Sequence, residues 1–178
     1  MQRLIAPLIV TLMVCTGCST FDVGRYGVSV ENNAALKKLG GQKVTVGPFT
    51  ATEPGKNEIP CRAVGPIKTP DRRSFEDYIR QALIDELTVA DLMAESAPVT
   101  LTGKLNKIDF DSMAGEWFID LTLTSSNGRS LNVSDKYSYE FTYIAETACS
   151  RTAKYFVPAV QVLFGKVVHD PRFADLLQ

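Results

Sequence analysis

The sequence lacks most of the features that identify a nucleic-acid-binding protein or a common enzyme. Its 19 basic and 20 acidic residues give a formal net charge of −1, so there is no basic excess to attract nucleic acid. No GxxxxGK[ST], GxGxxG, GxSxG or HExxH motif occurs, and no internal repeat is visible. We therefore expect no nucleic-acid partner, no cofactor and no enzymatic activity.

Histidine and clustered metal ligands are also scarce. The single histidine, His169, is expected at the C-terminal end of a helix, where a positive charge is favourable and no nucleophile is placed nearby. Asp109, Asp111 and Glu116 surround a short turn but lack the ligand spacing of a calcium loop. They could serve an unconventional hydrolase. We interpret them instead as a charged hairpin loop, and expect no catalytic residue and no metal site.

No apolar run in the chain is long enough to span a bilayer as a helix. The longest, Leu4–Val14, is shorter than the about 20 apolar residues that a membrane span requires. It follows a positive charge within Met1–Arg3, an arrangement typical of a secretory signal peptide. Cys15-Thr16-Gly17-Cys18 comes directly after it.

These residues resemble the lipobox of bacterial lipoproteins, in which a small residue precedes the cysteine that receives lipid. Gly17 and Cys18 match, whereas Cys15 stands where the family usually has leucine. The resemblance implies a signal peptide over 1–17 and a membrane anchor of acyl chains, palmitate among them, on Cys18. Ser19, which follows it, resembles the outer-membrane sorting pattern, so we expect a lipid anchor in the outer membrane, facing the periplasm. An exported protein with an unmodified Cys18 is the alternative.

The remaining cysteines, Cys61 and Cys149, predict a disulfide. Cys15 leaves with the signal peptide and Cys18 takes lipid, so two thiols are left in an oxidising compartment. The chain-entropy model gives a bridge across such a long loop roughly 4–5 kcal/mol of stabilisation. A redox or nucleophilic pair is the alternative, although the two lack CxxC spacing.

The first part of the mature chain is expected to be an extended connection. Residues 18–42 contain several glycines and predict a lipidated tether, with room for a short edge element. Fully stretched, such a tether reaches at most roughly 80 Å. Residues 43–178 predict a single domain, which begins with a strand at Lys43–Thr50. A long loop over Ala51–Arg73 and a helix over Ser74–Met93 follow.

The second half of the domain predicts three strands and a helix. Apolar residues alternate from Val99, with a bulge near Asn106, and again from Trp117. Asn127-Gly128 predicts a two-residue hairpin turn, after which the alternation continues from Leu131 to Tyr143.

The last helix is expected over about 146–169, with Pro158 kinking or splitting it. The order β-α-β-β-β-α predicts a two-layer α+β sandwich, mostly antiparallel, with both helices on one face of the sheet and the first two strands parallel if they are neighbours.

The opposite face of the predicted sheet is polar and forms a second candidate site. Such a face could meet a glycan or a partner protein, although a solvated sheet explains the alternation without any partner. Its residues are Thr100, Thr102, Lys104, Asp120, Thr122, Thr124, Ser134, Lys136, Ser138 and Glu140.

The predicted domain as a whole resembles small cell-envelope lipoproteins of the YajG type. The resemblance covers roughly 43–177 and consists of an early strand, a long helix from Phe75, a meander turning at Asn127-Gly128 and a closing helix near 173–177. Cys61 and Cys149 depart from that pattern. The resemblance implies a non-enzymatic accessory or binding protein in envelope assembly or transport, whose partners are another envelope protein, cell-wall glycan or lipopolysaccharide.

Overall fold

The computed structural model describes residues 20–40 and 42–178, which fold into two sheets and four α-helices. The strands are β1 (Phe21–Asp22), β2 (Val44–Ala51), β3 (Glu58–Cys61), β4 (Gly65–Lys68), β5 (Val99–Asp111), β6 (Glu116–Ser125) and β7 (Ser130–Ser138). The helices are α1 (Val30–Leu39), α2 (Phe75–Val89), α3 (Ala145–His169) and α4 (Pro171–Leu176).

The larger sheet has the strand order β2-β5-β6-β7 and confirms the predicted α+β sandwich. β2 runs parallel to β5, because α2 carries the chain from one to the other, and the remaining pairs are antiparallel. The register of β5 against β6 shifts between Leu105 and Lys107, where the bulge was predicted. α2 packs against β2, and α3 packs against β6 and β7, so one face of the sheet is covered.

An aromatic cluster lies at the centre of the core. Trp117, Phe75 and Phe156 are fully buried, and the Phe156 ring centroid lies 4.7 Å from that of Trp117 and 5.5 Å from that of Phe75. The indole N–H of Trp117 donates to the carbonyl oxygen of Thr152 at 2.8 Å, so its one polar group is satisfied inside the core. This cluster ties α2 and α3 to β6.

The two long helices follow their sequence signals closely. The Ser74 side chain accepts a hydrogen bond from the Asp77 N–H and caps α2, as the capping motif predicts. Cys149 lies in the beginning of α3, also as predicted. The expected split at Pro158 is wrong, because α3 is one continuous helix through the proline. Its buried stripe continues on both sides of the proline, and this packing offsets the lost hydrogen bond.

The predicted long loop over 51–73 contains a second, smaller sheet. β3 and β4 form an antiparallel hairpin, and β1 adds to it in parallel through pairing of Phe21 with Ile67. Ile59 and Ile67 are buried, so this hairpin joins the core rather than crossing the surface.

The first described residues run along α3 instead of extending away from the domain. A side chain at Gly24 would lie 3.5 Å from the Val157 side chain, and the Gly27 carbonyl accepts from Gln161 at 2.8 Å. Further along, the Asn32 side chain donates to the Gln161 carbonyl at 2.9 Å. A reach of roughly 80 Å therefore does not apply, because residues 21–39 are folded into the domain.

Two local features of β7 differ from the prediction. Its turn with β6 is longer than two residues, because Thr124 and Ser130 are the last paired positions, although Gly128 has the expected positive φ of 87°. The strand also ends at Ser138, so the alternation of buried and exposed residues that was predicted through Tyr143 stops there. Phe141 and Tyr143 are exposed instead.

Candidate functional site

The uncovered face of the large sheet carries the predicted polar residues. Register pairs place Thr102 opposite Thr124 and Asp120 opposite Ser134, between strands whose alternate residues are buried in the core. Glu140 is the exception, because it lies beyond β7 and forms an ion pair with Arg151 at 3.1 Å. We call this surface the outer face.

Asp120 organises the middle of the outer face. Its carboxylate accepts hydrogen bonds from the Asn106 amide at 2.7 Å, the Asn132 amide at 2.9 Å and the Ser134 hydroxyl at 2.6 Å. Partial burial raises the pKa of Asp120, but the hydrogen bonds from Ser134, Asn106 and Asn132 outweigh it, so the net pKa lies below its ordinary value. The result is an ionised carboxylate that three side-chain donors hold in place on the outer face.

An aromatic ring between two cations lies beside this network. The Nζ atom of Lys107 lies 5.1 Å from the Phe118 ring centroid, and that of Lys136 lies 5.9 Å from it. Lys136 also pairs with Glu116 at 2.8 Å. A partly exposed ring next to amides, hydroxyls and a carboxylate can stack on an apolar sugar face while the polar groups bind its hydroxyls. The sequence predicts Lys136 as a candidate site residue but gives no reason to select Phe118. Alternation along β6 does not show that the Phe118 ring lies between two lysines.

Each carboxylate of the acidic turn between β5 and β6 has a hydrogen-bond or ion-pair partner within the protein. Asp111 accepts from the N–H groups of Met113 and Ala114 at 2.7 and 3.1 Å, and Glu116 is held by Lys136. Asp109 accepts from the adjacent Phe110 N–H at 2.9 Å. Within residues 20–40 and 42–178, no group of three or more metal-ligand side chains comes together.

His169 ends α3, as predicted. Its Nδ1 atom lies 2.7 Å from the Gly165 carbonyl oxygen one turn earlier. The side chain is exposed and borders a shallow hollow with Ser29 and Pro158. This contact is within α3, so the imidazole binds a carbonyl group in the last turn of its own helix.

A second hollow, next to α2, is lined by tyrosines and charged residues. The Tyr26 hydroxyl donates to Glu86 at 2.6 Å, and the Tyr78 hydroxyl donates to the Gly24 carbonyl at 2.8 Å. Burial, followed by the bond to Glu86, raises the pKa of Tyr26 well above its ordinary value, and burial also raises the pKa of Tyr78. Both phenols are therefore neutral near pH 7 and cannot act as general bases there.

The disulfide joins Cys61 and Cys149, and it fixes the β3–β4 hairpin to the first turns of α3. Both sulfur-bearing residues are fully buried. Next to it, Arg62 donates to the Ser112 hydroxyl at 3.1 Å and to the Ser112, Thr142 and Tyr143 carbonyls at 2.9, 3.1 and 2.9 Å. Arg62 thereby connects three segments in spite of its positive φ of 47°, which costs about 1–2 kcal/mol.

The predicted lipid-attachment residue, Cys18, lies outside the described residues. Thr20 is the first described residue and is exposed. Among the described helices, α3 included, none combines the length and apolarity that a membrane crossing requires. Comparison with known proteins gives no further identification, because no family model, curated protein or solved structure matches this chain.

Proposed function

We propose that this protein is a lipid-anchored, non-enzymatic accessory protein of the bacterial envelope, attached to the outer membrane through Cys18. The observation that carries the proposal is the apolar leader ending in Gly17-Cys18, followed by a mature chain whose two other cysteines are joined. A buried disulfide supports export, because reducing compartments keep thiols free. Among the described residues, His169, Tyr26 and Tyr78 contact a carbonyl or carboxylate oxygen of the fold itself, which is compatible with a binding role.

The accessory role is tested by photocrosslinking in the cell. A photoreactive amino acid replaces Phe118 on the outer face, and a matched variant carries it at Val89, an exposed apolar position on α2. The proposal predicts one dominant crosslinked envelope protein at position 118 and none at position 89. Equal, diffuse crosslinking at both positions would contradict a specific protein partner.

A glycan-binding module is the second candidate function, and Phe118 with the Asp120 network is the observation that favours it. It predicts that purified protein is retained on cell-wall glycan or lipopolysaccharide, and that Phe118→Ala weakens retention. Lys43→Ala removes an exposed lysine that pairs with Asp91 and serves as the control. Retention that is the same for both variants would exclude the outer face as the binding surface.

A further inference from the structure

Four exposed apolar side chains gather at the end of the domain where α3 begins. Met113, Phe141, Tyr143 and Ile144 are 57, 47, 78 and 67% exposed, and they account for most of the large apolar side chains exposed among the described residues. The Phe141 and Tyr143 rings lie edge to face, with centroids 5.4 Å apart. We call these four residues the docking face. Clustered exposed apolar groups of this kind mark a binding surface.

The docking face is held in place rather than loosely attached. Arg62 binds carbonyl groups on both of its segments, those of Ser112 on one side and of Thr142 and Tyr143 on the other. Gly115, with a φ of 72°, packs so closely that a Cβ there would collide with the Tyr139 carbonyl oxygen. The backbone that carries the docking face is therefore held in place by these contacts.

The chain enters the domain beside this face. Thr20 lines a hollow together with Glu146, Thr147 and Arg151 at the start of α3. Arg151 in turn donates to the Phe141 carbonyl at 3.3 Å. Cys18 precedes Thr20 by two residues, and two residues span at most about 7 Å. Any lipid carried on Cys18 is thus confined to this end of the molecule.

We propose that the docking face inserts into the boundary between lipid headgroups and acyl chains when Cys18 is acylated, so that the lipid surface is its partner. The inference rests on the proposed lipid attachment at Cys18. Aromatic side chains with an apolar body and a polar tip, such as Tyr143, are favoured at this boundary. Phe141, Ile144 and Met113 add apolar area that would otherwise be exposed to water.

The cations around the docking face are already paired within the protein, so the proposed contact with lipid depends on apolar burial rather than on charge. The Arg62 guanidinium donates to protein oxygens, and Arg151 pairs with Glu140. Glu146 adds a negative charge at the same end. Insertion should therefore occur on neutral as well as anionic lipid and should change little with salt.

Insertion sets the orientation of the domain on the membrane. α3 has 25 residues and is about 37 Å long, and it leads from the face to His169 at the opposite end. α1 and the outer face then project away from the lipid, where a partner can reach them. The acyl chains supply attachment, and the docking face supplies a fixed direction.

The test uses the acylated full-length protein in phosphatidylcholine vesicles, with and without phosphatidylglycerol. Tyr143→Cys carries a polarity-sensitive fluorophore, and Val30→Cys carries it as the matched control, an 85% exposed apolar position at the start of α1. Labelling is selective in the acylated protein because Cys15 has left with the signal peptide, lipid occupies the Cys18 thiol, and Cys61 and Cys149 are buried in a disulfide. Quencher-bearing lipids report the depth of each fluorophore.

The proposal predicts that the label at position 143 brightens several-fold and is quenched from within the lipid, while the label at position 30 stays in water. Adding Ile144→Asp to a protein labelled at Met113→Cys should abolish the increase at position 113, and Val30→Asp should not. If mass spectrometry shows that Cys18 is acylated and neither label shifts, the insertion of the docking face is overturned, while the lipid attachment stands. An unacylated Cys18 would overturn the lipid attachment as well. A position-143 shift that depends on protein concentration without lipid would assign the face to a second copy of the chain.

Discussion

Glu86 is the residue on which the packing of the N-terminal segment most depends. It is fully buried and accepts from the Tyr26 hydroxyl at 2.6 Å, the Ser29 N–H at 2.9 Å and the Asn32 amide at 3.4 Å. The carboxylate therefore joins α2 to the start of α1. Removing it leaves several donors without an acceptor, which is costlier than losing one surface contact.

We predict that Glu86→Ala lowers the free energy of unfolding by about 2–4 kcal/mol. Chemical denaturation measures it, with Glu95→Ala, an exposed position after α2, as the control. Glu86→Gln keeps one acceptor oxygen and should lose less. If Glu86→Ala and Glu95→Ala were equally stable, the buried carboxylate would not hold the N-terminal segment.

Asp120 gives the outer face a predictable response to acid. Its folded pKa lies below the 3.8 of an unfolded aspartate, so its stabilisation is complete above that value and is lost as the pH falls through the folded pKa. Asp120→Asn should therefore be less stable than the natural chain at neutral pH. The difference should shrink as the pH falls below about 3.8.

Unfolding followed between pH 7 and pH 2 measures this difference. The control is Asp109→Asn, which changes an exposed aspartate outside the Asp120 network. A constant difference between Asp120→Asn and the natural chain across the whole range would contradict the assigned network.

At the scale of secondary-structure elements, the disulfide connects the small sheet to the large helix layer. Cys61 ends β3 and Cys149 lies in the beginning of α3, at a sequence separation of 88. Closing so long a loop limits the unfolded ensemble considerably. The β3–β4 hairpin also contributes Arg62, so its position determines the position of the docking face.

We predict that Cys61→Ser with Cys149→Ser lowers the free energy of unfolding by about 2–5 kcal/mol. The double variant should also increase hydrogen exchange in the β3–β4 hairpin and in residues 139–144, which Arg62 connects. The natural protein under reducing denaturation is the matched comparison. Unchanged exchange in both segments would show that the Arg62 contacts are sufficient without the bridge.

The elements that sequence reasoning found are those with strong local signals. Ser74 provides a cap, Asn106 lies where the apolar phase changes, and the two remaining cysteines have a single pairing. In contrast, α1 carries no apolar stripe, since two of its three buried residues are Asn32 and Asn33. Asn32 is buried through bonds to Glu86 and Gln161, which are distant in the sequence.

The hairpin and the docking face were missed for different reasons. Pro60 and Pro66 predict a loop, yet they lie opposite each other at a pair where no N–H is needed in the ladder. Phe141 and Tyr143 continue the alternation of β7 in the sequence, and only the strand's end at Ser138 turns them outward. The outer face was predicted as a surface, whereas the position of Phe118 between Lys107 and Lys136 depends on cross-strand register.

For the whole molecule, the proposed lipid attachment at Cys18 would bring the domain directly to the membrane rather than hold it on a long tether. β1 and α1 fold against α3, so the chain between Cys18 and the domain is short. The docking face and Thr20 share one end, and the outer face extends away from it along the strands. The proposed attachment, orientation and partner binding would then use three separate parts of the protein.

Mass spectrometry of the N-terminal peptide tests the proposed lipid attachment of Cys18 most directly. Protein expressed in bacterial cells and extracted from membranes is compared with Cys18→Ser. The account predicts a first residue of Cys18 carrying diacylglycerol and an amide-linked acyl chain, and a Cys18→Ser protein that fractionates without the membrane. An N-terminus at any other residue, or an unmodified Cys18 in protein that remains membrane-bound, would contradict it.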